Sequence, residues 1–243
     1  MRAFVAGGSR GIGGAASRAL AAAGADVAVG YLSRDREARE TAAAVEAAGR
    51  RAVLVQGDVS DNTDALVDEA ADALGGLDAF VMCAVRPLPR SIEDLTAADF
   101  DETMRANARP FVLGGLAAAR HMDGAGRVVG LSATGAHRIR NPRYAALGLA
   151  KGAVEAAVRF LAVSLAGNGI TVNAVVAGPT DTEAFDTLAE DPAALRRRLG
   201  ELTPMGRIGT PEDAARLVAF LCSPDAGWIT GQLIVSDGGY SLV

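Results

Sequence analysis

Nowhere does the chain hold an apolar run approaching the roughly 20 residues needed to cross a bilayer. Its first stretch, RAFVAGGSRGIG, carries no signal-peptide pattern. The expectation is a cytoplasmic protein without a membrane partner. Positive charge is also lacking: the formal net charge is −5, which gives no reason to expect a nucleic-acid partner. Cysteine is scarce, and Cys83 and Cys222 sit in the apolar stretches FVMCAV and VAFLCS without metal-ligand spacing. That argues against a disulfide framework or a metal centre and for buried packing residues. Internal repeats, low-complexity tracts and linkers are absent, so residues 1–243 read as one domain.

What is abundant is small and apolar. Half the residues are hydrophobic, 29 are Gly and only 5% are aromatic, a composition suited to Val/Ile/Leu-rich buried strands alternating with alanine-rich helices. Seven short apolar runs alternate with helix-length stretches: AFVAG, DVAVGY, RAVLVQGD, LDAFVMCAV, RVVGLS, ITVNAVVAG and QLIVSD. Strands spaced this way imply right-handed βαβ crossovers and a mostly parallel α/β sheet covered on both faces. One long segment, from about Pro179 to Pro211 and punctuated by Pro192 and Pro204, reads as irregular. Its length within a compact domain predicts an active-site lid over about residues 180–210.

The first strand runs into AGGSRGIGG, which places Gly7, Gly11 and Gly13, with Ser9, Arg10 and Ile12 between them, directly before an alanine-rich helix. Glycine serves a turn with positive φ, a pyrophosphate approaching backbone N–H groups and a helix packed closely on its strand. The pattern predicts dinucleotide binding. The second strand ends in Gly30, Tyr31, Leu32, Ser33 and Arg34, with no carboxylate before Asp35 to bind a ribose 2′-hydroxyl. Ser33, Arg34 and Arg10 suit a 2′-phosphate, because an arginine fork donates two hydrogen bonds to phosphate oxygens at once. NADPH is therefore expected over NADH; the plain alternative is that both arginines are solvated surface charges.

Over its whole length the chain resembles the short-chain dehydrogenase/reductase family. The resemblance rests on AGGSRGIG, GDVSD after the third strand, Asn107, Tyr144 with Lys151, VNAVVAGPTDT and ITGQLIVSDGG. It implies a single-domain, doubly wound Rossmann fold with a seven-stranded parallel sheet, and a homotetramer or homodimer. It further implies that Asp58 and Val59 line an adenine pocket, that Thr182 contacts the cofactor near its nicotinamide end, and that Ala84, Asn107 and Pro179 belong to the cofactor site. Two departures stand out. Where carbonyl-reducing members carry Asn-Asn-Ala-Gly, this chain has Met82-Cys83-Ala84-Val85, and Leu147 occupies the tyrosine position of Tyr-x-x-x-Lys. The stretch YAALGLAKGAVEAAVRFLA, with Tyr144 seven before Lys151, followed by ITVNAVVAGP, is similar instead to enoyl-acyl-carrier-protein reductases of bacterial fatty-acid synthesis, and the glycine loop and the ending VSDGGYSLV resemble most the NADPH-dependent type called enoyl reductase III.

Helix geometry accommodates that spacing. With Asn141 as N-cap and Pro142 at the first helical position, Tyr144 is expected in the first turn. Seven residues are about 700° of rotation, within roughly 20° of the same face and about 10 Å along the axis. Tyr144 is then the candidate acid for a developing enolate oxygen, with Lys151 at the cofactor ribose; the alternative is an aromatic packed on a loop. For Ser132 two readings stand, a hydrogen bond to a substrate carbonyl or closure of the strand end. Arg138, Arg140 and Arg143, with Arg196, Arg197 and Arg198 in the lid, are candidates to receive an acidic acyl carrier protein or the phosphates of coenzyme A. Phe185, Leu188, Leu195 and Leu199 offer the lid an apolar underside.

The expected function is NADPH-dependent reduction of the carbon–carbon double bond of an enoyl thioester. The alternatives are a carbonyl reductase or alcohol dehydrogenase of the same fold, and a non-catalytic cofactor-binding protein.

Overall fold

The structure, a computed structural model, describes residues 1–243. Its centre is a seven-stranded sheet: β1 (Arg2–Ala6), β2 (Asp26–Tyr31), β3 (Ala52–Gln56), β4 (Ala79–Met82), β5 (Gly126–Ala133), β6 (Ile170–Ala177) and β7 (Leu233–Ser236). The order is β3-β2-β1-β4-β5-β6-β7, and every pairing is parallel. Each expected strand is present: the inner ones read as largely apolar because a parallel strand is covered on both faces, while the edge strands β3 and β7 are only partly buried. β4 (AFVM) and β6 (ITVNAVVA) are buried at every position.

Helices cover both faces. On one face α1 (Gly11–Ala22), α2 (Asp35–Ala47) and α9 (Pro211–Cys222) pack Leu20, Val45, Val218 and Leu221 against Val5, Val29 and Val129. On the other, α3 (Val59–Leu74), α5 (Arg109–Ala119) and α6 (Ala145–Leu165) pack Val67, Phe111, Val154 and Val158 against Phe4, Phe80 and Val172. The helix pattern follows from spacing: α2 buries Ala38, Thr41, Ala42 and Val45, one stripe at i, i+3, i+4 and i+7, and leaves its charges outside. Each fully buried Val, Leu or Phe is worth about 1.5–3 kcal/mol. Gly75, in the left-handed region at φ 78°, ends α3.

Two expectations are corrected. The segment over 180–210 is half helical, with α7 (Glu183–Asp186) and α8 (Pro192–Leu202). Asp191 caps α8 by accepting from Ala194 N at 2.9 Å, and Pro192 fits its first turn, so the proline starts a helix there. The helix expected from Asn141 begins instead at Ala145. The Asn141 side chain accepts from Arg143 N at 3.0 Å in a local turn, and Tyr144 N bonds Asn141 O at 3.0 Å, leaving Tyr144 as the residue before the first turn. The remaining helix, α4 (Ala97–Asn107), is set by a capping box between Thr96 and Asp99.

A parallel sheet gathers its strand-to-helix turns at the carboxyl ends of the strands. Where the order reverses, between β1 and β4, those turns diverge and open a crevice. No helix is long and apolar enough to cross a membrane.

Candidate active site

The crevice is a cleft of about 1290 Å³. Its floor is the glycine loop. Gly7 has φ +77°, and a Cβ on Gly13 would lie 2.0 Å from Gly7 O, so only glycine allows the helix to start this close to the strand. The loop is held rigidly: Ser17 Oγ donates to Gly8 O at 3.1 Å and Gly13 O at 3.0 Å, and Thr41 Oγ1 to Ser9 O at 2.9 Å. No side chain caps α1, since its N-cap Arg10 makes no capping bond, and the first-turn N–H groups remain open to the cleft. An uncapped helix start under a preformed glycine turn fits a pyrophosphate.

Gly7, Ser9, Arg10, Gly11, Ile12, Gly13, Ser33, Arg34, Asp58, Val59, Ala84, Pro179 and Thr182 all line this cleft. Asp35 does not; its carboxylate accepts from Arg39 Nε at 2.7 Å and the Tyr31 hydroxyl at 3.1 Å, which holds it below the usual carboxylate range. Asp58 accepts from Ser60 N at 2.8 Å and pairs with Arg86 at 3.0 Å. Arg86, also in the lining, was not foreseen, because a lone arginine in a loop carries no motif.

Asn107 departs from its expected place in the cofactor site, for it is absent from the lining. It is 1% exposed and clamps the loop after β4: Oδ1 accepts from Arg86 N at 2.9 Å, and Nδ2 donates to Arg86 O at 3.1 Å and Thr103 O at 3.0 Å.

Lys151 and Tyr144 meet the same cleft. Lys151, only 6% exposed, donates from Nζ to Leu131 O at 2.7 Å. Burial pulls its pKa down to about 8, with Cys83 and Glu155 partly offsetting that pull. Cys222 is buried packing as expected, whereas Cys83 lines the cleft, its thiol pushed up to about 12 by desolvation. The Tyr144 phenol is raised above its ordinary range by desolvation alone, so no charge or hydrogen bond within the chain assists its ionisation.

The Tyr144 ring is set by the loop after β5. A Cβ on Gly135 would fall 2.6 Å from Tyr144 Cδ1 and Cε1. Gly135→Ala must therefore push the ring aside, and we expect turnover to fall about tenfold or more, since a displacement near 1 Å costs as much as 100-fold. Far-ultraviolet circular dichroism should stay unchanged; a variant as fast as the parent would show that ring position does not matter.

Ser132 lines the cleft wall but is 3% exposed, and its hydroxyl donates to Glu155 Oε1 at 2.5 Å. That bond engages its proton within the protein while the residue still borders the cleft. Glu155 also faces His137 Nδ1 at 3.4 Å and so ties α6 to the turn after β5. Its sequence signal was a lone carboxylate one turn past Lys151 on an apolar helix face.

The lid contributes Phe185, Leu188, Leu195 and Leu199 to the lining. The arginines divide. Arg196 pairs with Asp181 at 2.8 Å and Asp186 at 2.5 Å. Arg138 and Arg140 donate to backbone carbonyls of Ser241 and Val243, and Arg140 lies over the Tyr240 ring at 4.8 Å. All three are engaged within the chain, although Arg138 and Arg140, unlike Arg196, also line the cleft. Arg143 and Arg198 line the cleft without such partners, and Arg197 lies outside it.

The comparisons with known proteins agree with this geometry. The family model described as "Enoyl-(Acyl carrier protein) reductase" matches residues 6–241. The chain is 40% identical to a 1-cyclohexenylcarbonyl-CoA reductase of Streptomyces collinus, over 99% of this chain and 86% of that protein. Among solved structures, it superposes with a TM-score of 0.88 on LugOII, a promiscuous reductase that catalyses keto-reduction at C1 during lugdunomycin biosynthesis, at 34% identity over 100% of this chain and 98% of that one. A dehydrogenase from Burkholderia cenocepacia with bound NADP gives 0.90, at 30% identity over 98% of this chain and 92% of that one.

Proposed function

The chain belongs to the short-chain dehydrogenase/reductase family of oxidoreductases, and from that premise we propose that it reduces the carbon–carbon double bond of an enoyl thioester with NADPH. The observation that carries the reading is the lining beside Lys151. The position four before the lysine is Leu147, 5% exposed and without a proton to give, while Tyr144, seven before the lysine, brings a phenol side chain to the same cleft. A donor farther along the cleft suits a substrate whose hydride lands on the β-carbon and whose negative charge appears on a thioester oxygen beyond the α-carbon.

A nicotinamide dinucleotide held on the glycine floor would supply the hydride. Tyr144 holds its proton at the phenol oxygen and presents it to the developing enolate; its raised pKa keeps it protonated at neutral pH. The Lys151 ammonium, buried beside the cofactor floor, favours the anionic transition state. Phe185, Leu188, Leu195 and Leu199 exclude water and cover the acyl group. Arg10, Ser33 and Arg34 provide the affinity for a 2′-phosphate, and the relative with bound NADP supports that choice.

The 40% relative acting on a 1-cyclohexenylcarbonyl-CoA supports a CoA thioester over a carrier protein, and Arg143 and Arg198 at the cleft are the cations left to meet its phosphates. The test follows NADPH absorbance with crotonyl-CoA and 1-cyclohexenylcarbonyl-CoA against a 3-ketoacyl-CoA. We expect oxidation with the enoyl substrates and about 100-fold less with the ketone, since a site aligned for one acceptor misplaces the other. Preferential ketone reduction would instead establish the carbonyl-reductase reading.

A further inference from the structure

The second strand ends without a carboxylate, yet the fold brings one to that place from 173 residues beyond Arg10. Glu183, the first residue of α7, lines the cleft, and its Oε2 accepts from Arg10 Nη1 and lies 3.6 Å from Arg34 Nη2. Arg10 precedes α1 and Arg34 precedes α2, so one lid carboxylate bridges the entrances of two helices. All three side chains are 43–58% exposed, leaving the bridge open to solvent and to exchange. The lid also touches the floor here: a Cβ on Gly11 would sit 3.5 Å from the Thr182 methyl.

We propose that Glu183 is a specificity-determining residue that occupies, in the cofactor-free protein, the arginine pair a 2′-phosphate takes. The idea rests on the NADPH reading above. A phosphate carries about −1.5 to −2 charge at neutral pH against the carboxylate's −1, and its oxygens accept from both arginine forks. It displaces Glu183 from Arg10 and Arg34 and frees the start of the lid. A ribose 2′-hydroxyl has no charge to do so, and NADH binds with the bridge left in place. Glu183 thus lowers affinity for every 2′-phosphorylated ligand while leaving affinity for NADH nearly untouched.

The test is calorimetric binding of NADPH, NADH and 2′,5′-ADP to the full chain, its Glu183→Gln variant and its Arg34→Ala variant. Exposed ion pairs are individually weak, so Glu183→Gln is expected to tighten NADPH and 2′,5′-ADP by about three- to tenfold at low salt. The gain should shrink in about 0.5 M salt as screening shortens, and NADH should move less than twofold. Unchanged NADPH affinity, equal tightening of both dinucleotides, or weakened NADH binding, which would make Glu183 a ribose anchor, each overturns the proposal. Arg34→Ala separates the two levels. If it leaves the NADPH-to-NADH ratio unmoved, the cofactor reading falls and takes the proposal with it; if it moves the ratio while Glu183→Gln does not, only the Glu183 role is lost.

Discussion

Replacing Tyr144 with phenylalanine is expected to lower kcat on an enoyl thioester by about 100- to 10,000-fold, the range proton transfer contributes. KM and the NADPH Kd should stay within about threefold, because the ring that fixes the loop is kept. That ring rests against Gly135 and Gly148, and its backbone carbonyl still accepts from Gly148 N at 2.7 Å. Burial raises the phenol's pKa, so the hydroxyl lost in the variant is one the fold desolvates. Melting temperature is therefore expected to hold or rise slightly. Stopped-flow single turnovers separate the chemical step from product release, and a variant within threefold of the parent in that step would remove Tyr144 from the chemistry.

The sheet was legible because its inner parallel strands are buried on both faces and so read as largely apolar runs, and Gly follows β1, β3 and β6 directly. The phosphate floor was legible for a related reason: Gly7, Gly11 and Gly13 are close in sequence, so one turn places them. What escaped was everything that depends on residues meeting across the fold. Glu183 reaches Arg10 and Arg34, Arg138 and Arg140 turn to the backbone near Val243, and Ser132 meets Glu155. No local pattern encodes those meetings.

The error at Asn141 has a different origin. Asn before Pro satisfies the rule for a helix start, and the same side chain equally satisfies an Asx turn; tertiary placement of Tyr144 against Gly135 decided for the turn. Tyr144 thus stands at the entrance of α6 and Lys151 inside it. Both still border the cleft, which is what the chemistry requires.

Lys151→Met should separate function from stability. The methionine keeps an unbranched stem in the space of the lysine and removes the ammonium. Turnover is expected to fall by about 1000-fold or more, and the dinucleotide Kd to rise, as a preorganised charge in a dry site is lost. Stability should move the other way. Burial lowers the lysine from 10.5 to about 8, so the folded state binds that proton more weakly than the unfolded chain does. The charge costs on the order of 1–3 kcal/mol at neutral pH, less about 1 kcal/mol for the bond Nζ gives Leu131 O. Melting temperature is expected to rise by several degrees.

The sign of the pH dependence makes the same point independently. Between about pH 8 and 10.5 the unfolded chain holds a proton the native protein has released, so the lysine's contribution to stability rises with pH across that window and is lost as pH falls through 8. Lys151→Met should remove that rise, while kcat/KM of the parent should decline above about pH 8 as the ammonium discharges. A methionine variant that melts below the parent at pH 7, or whose stability still climbs over the same window, would show that Lys151 carries its charge at no cost to the fold.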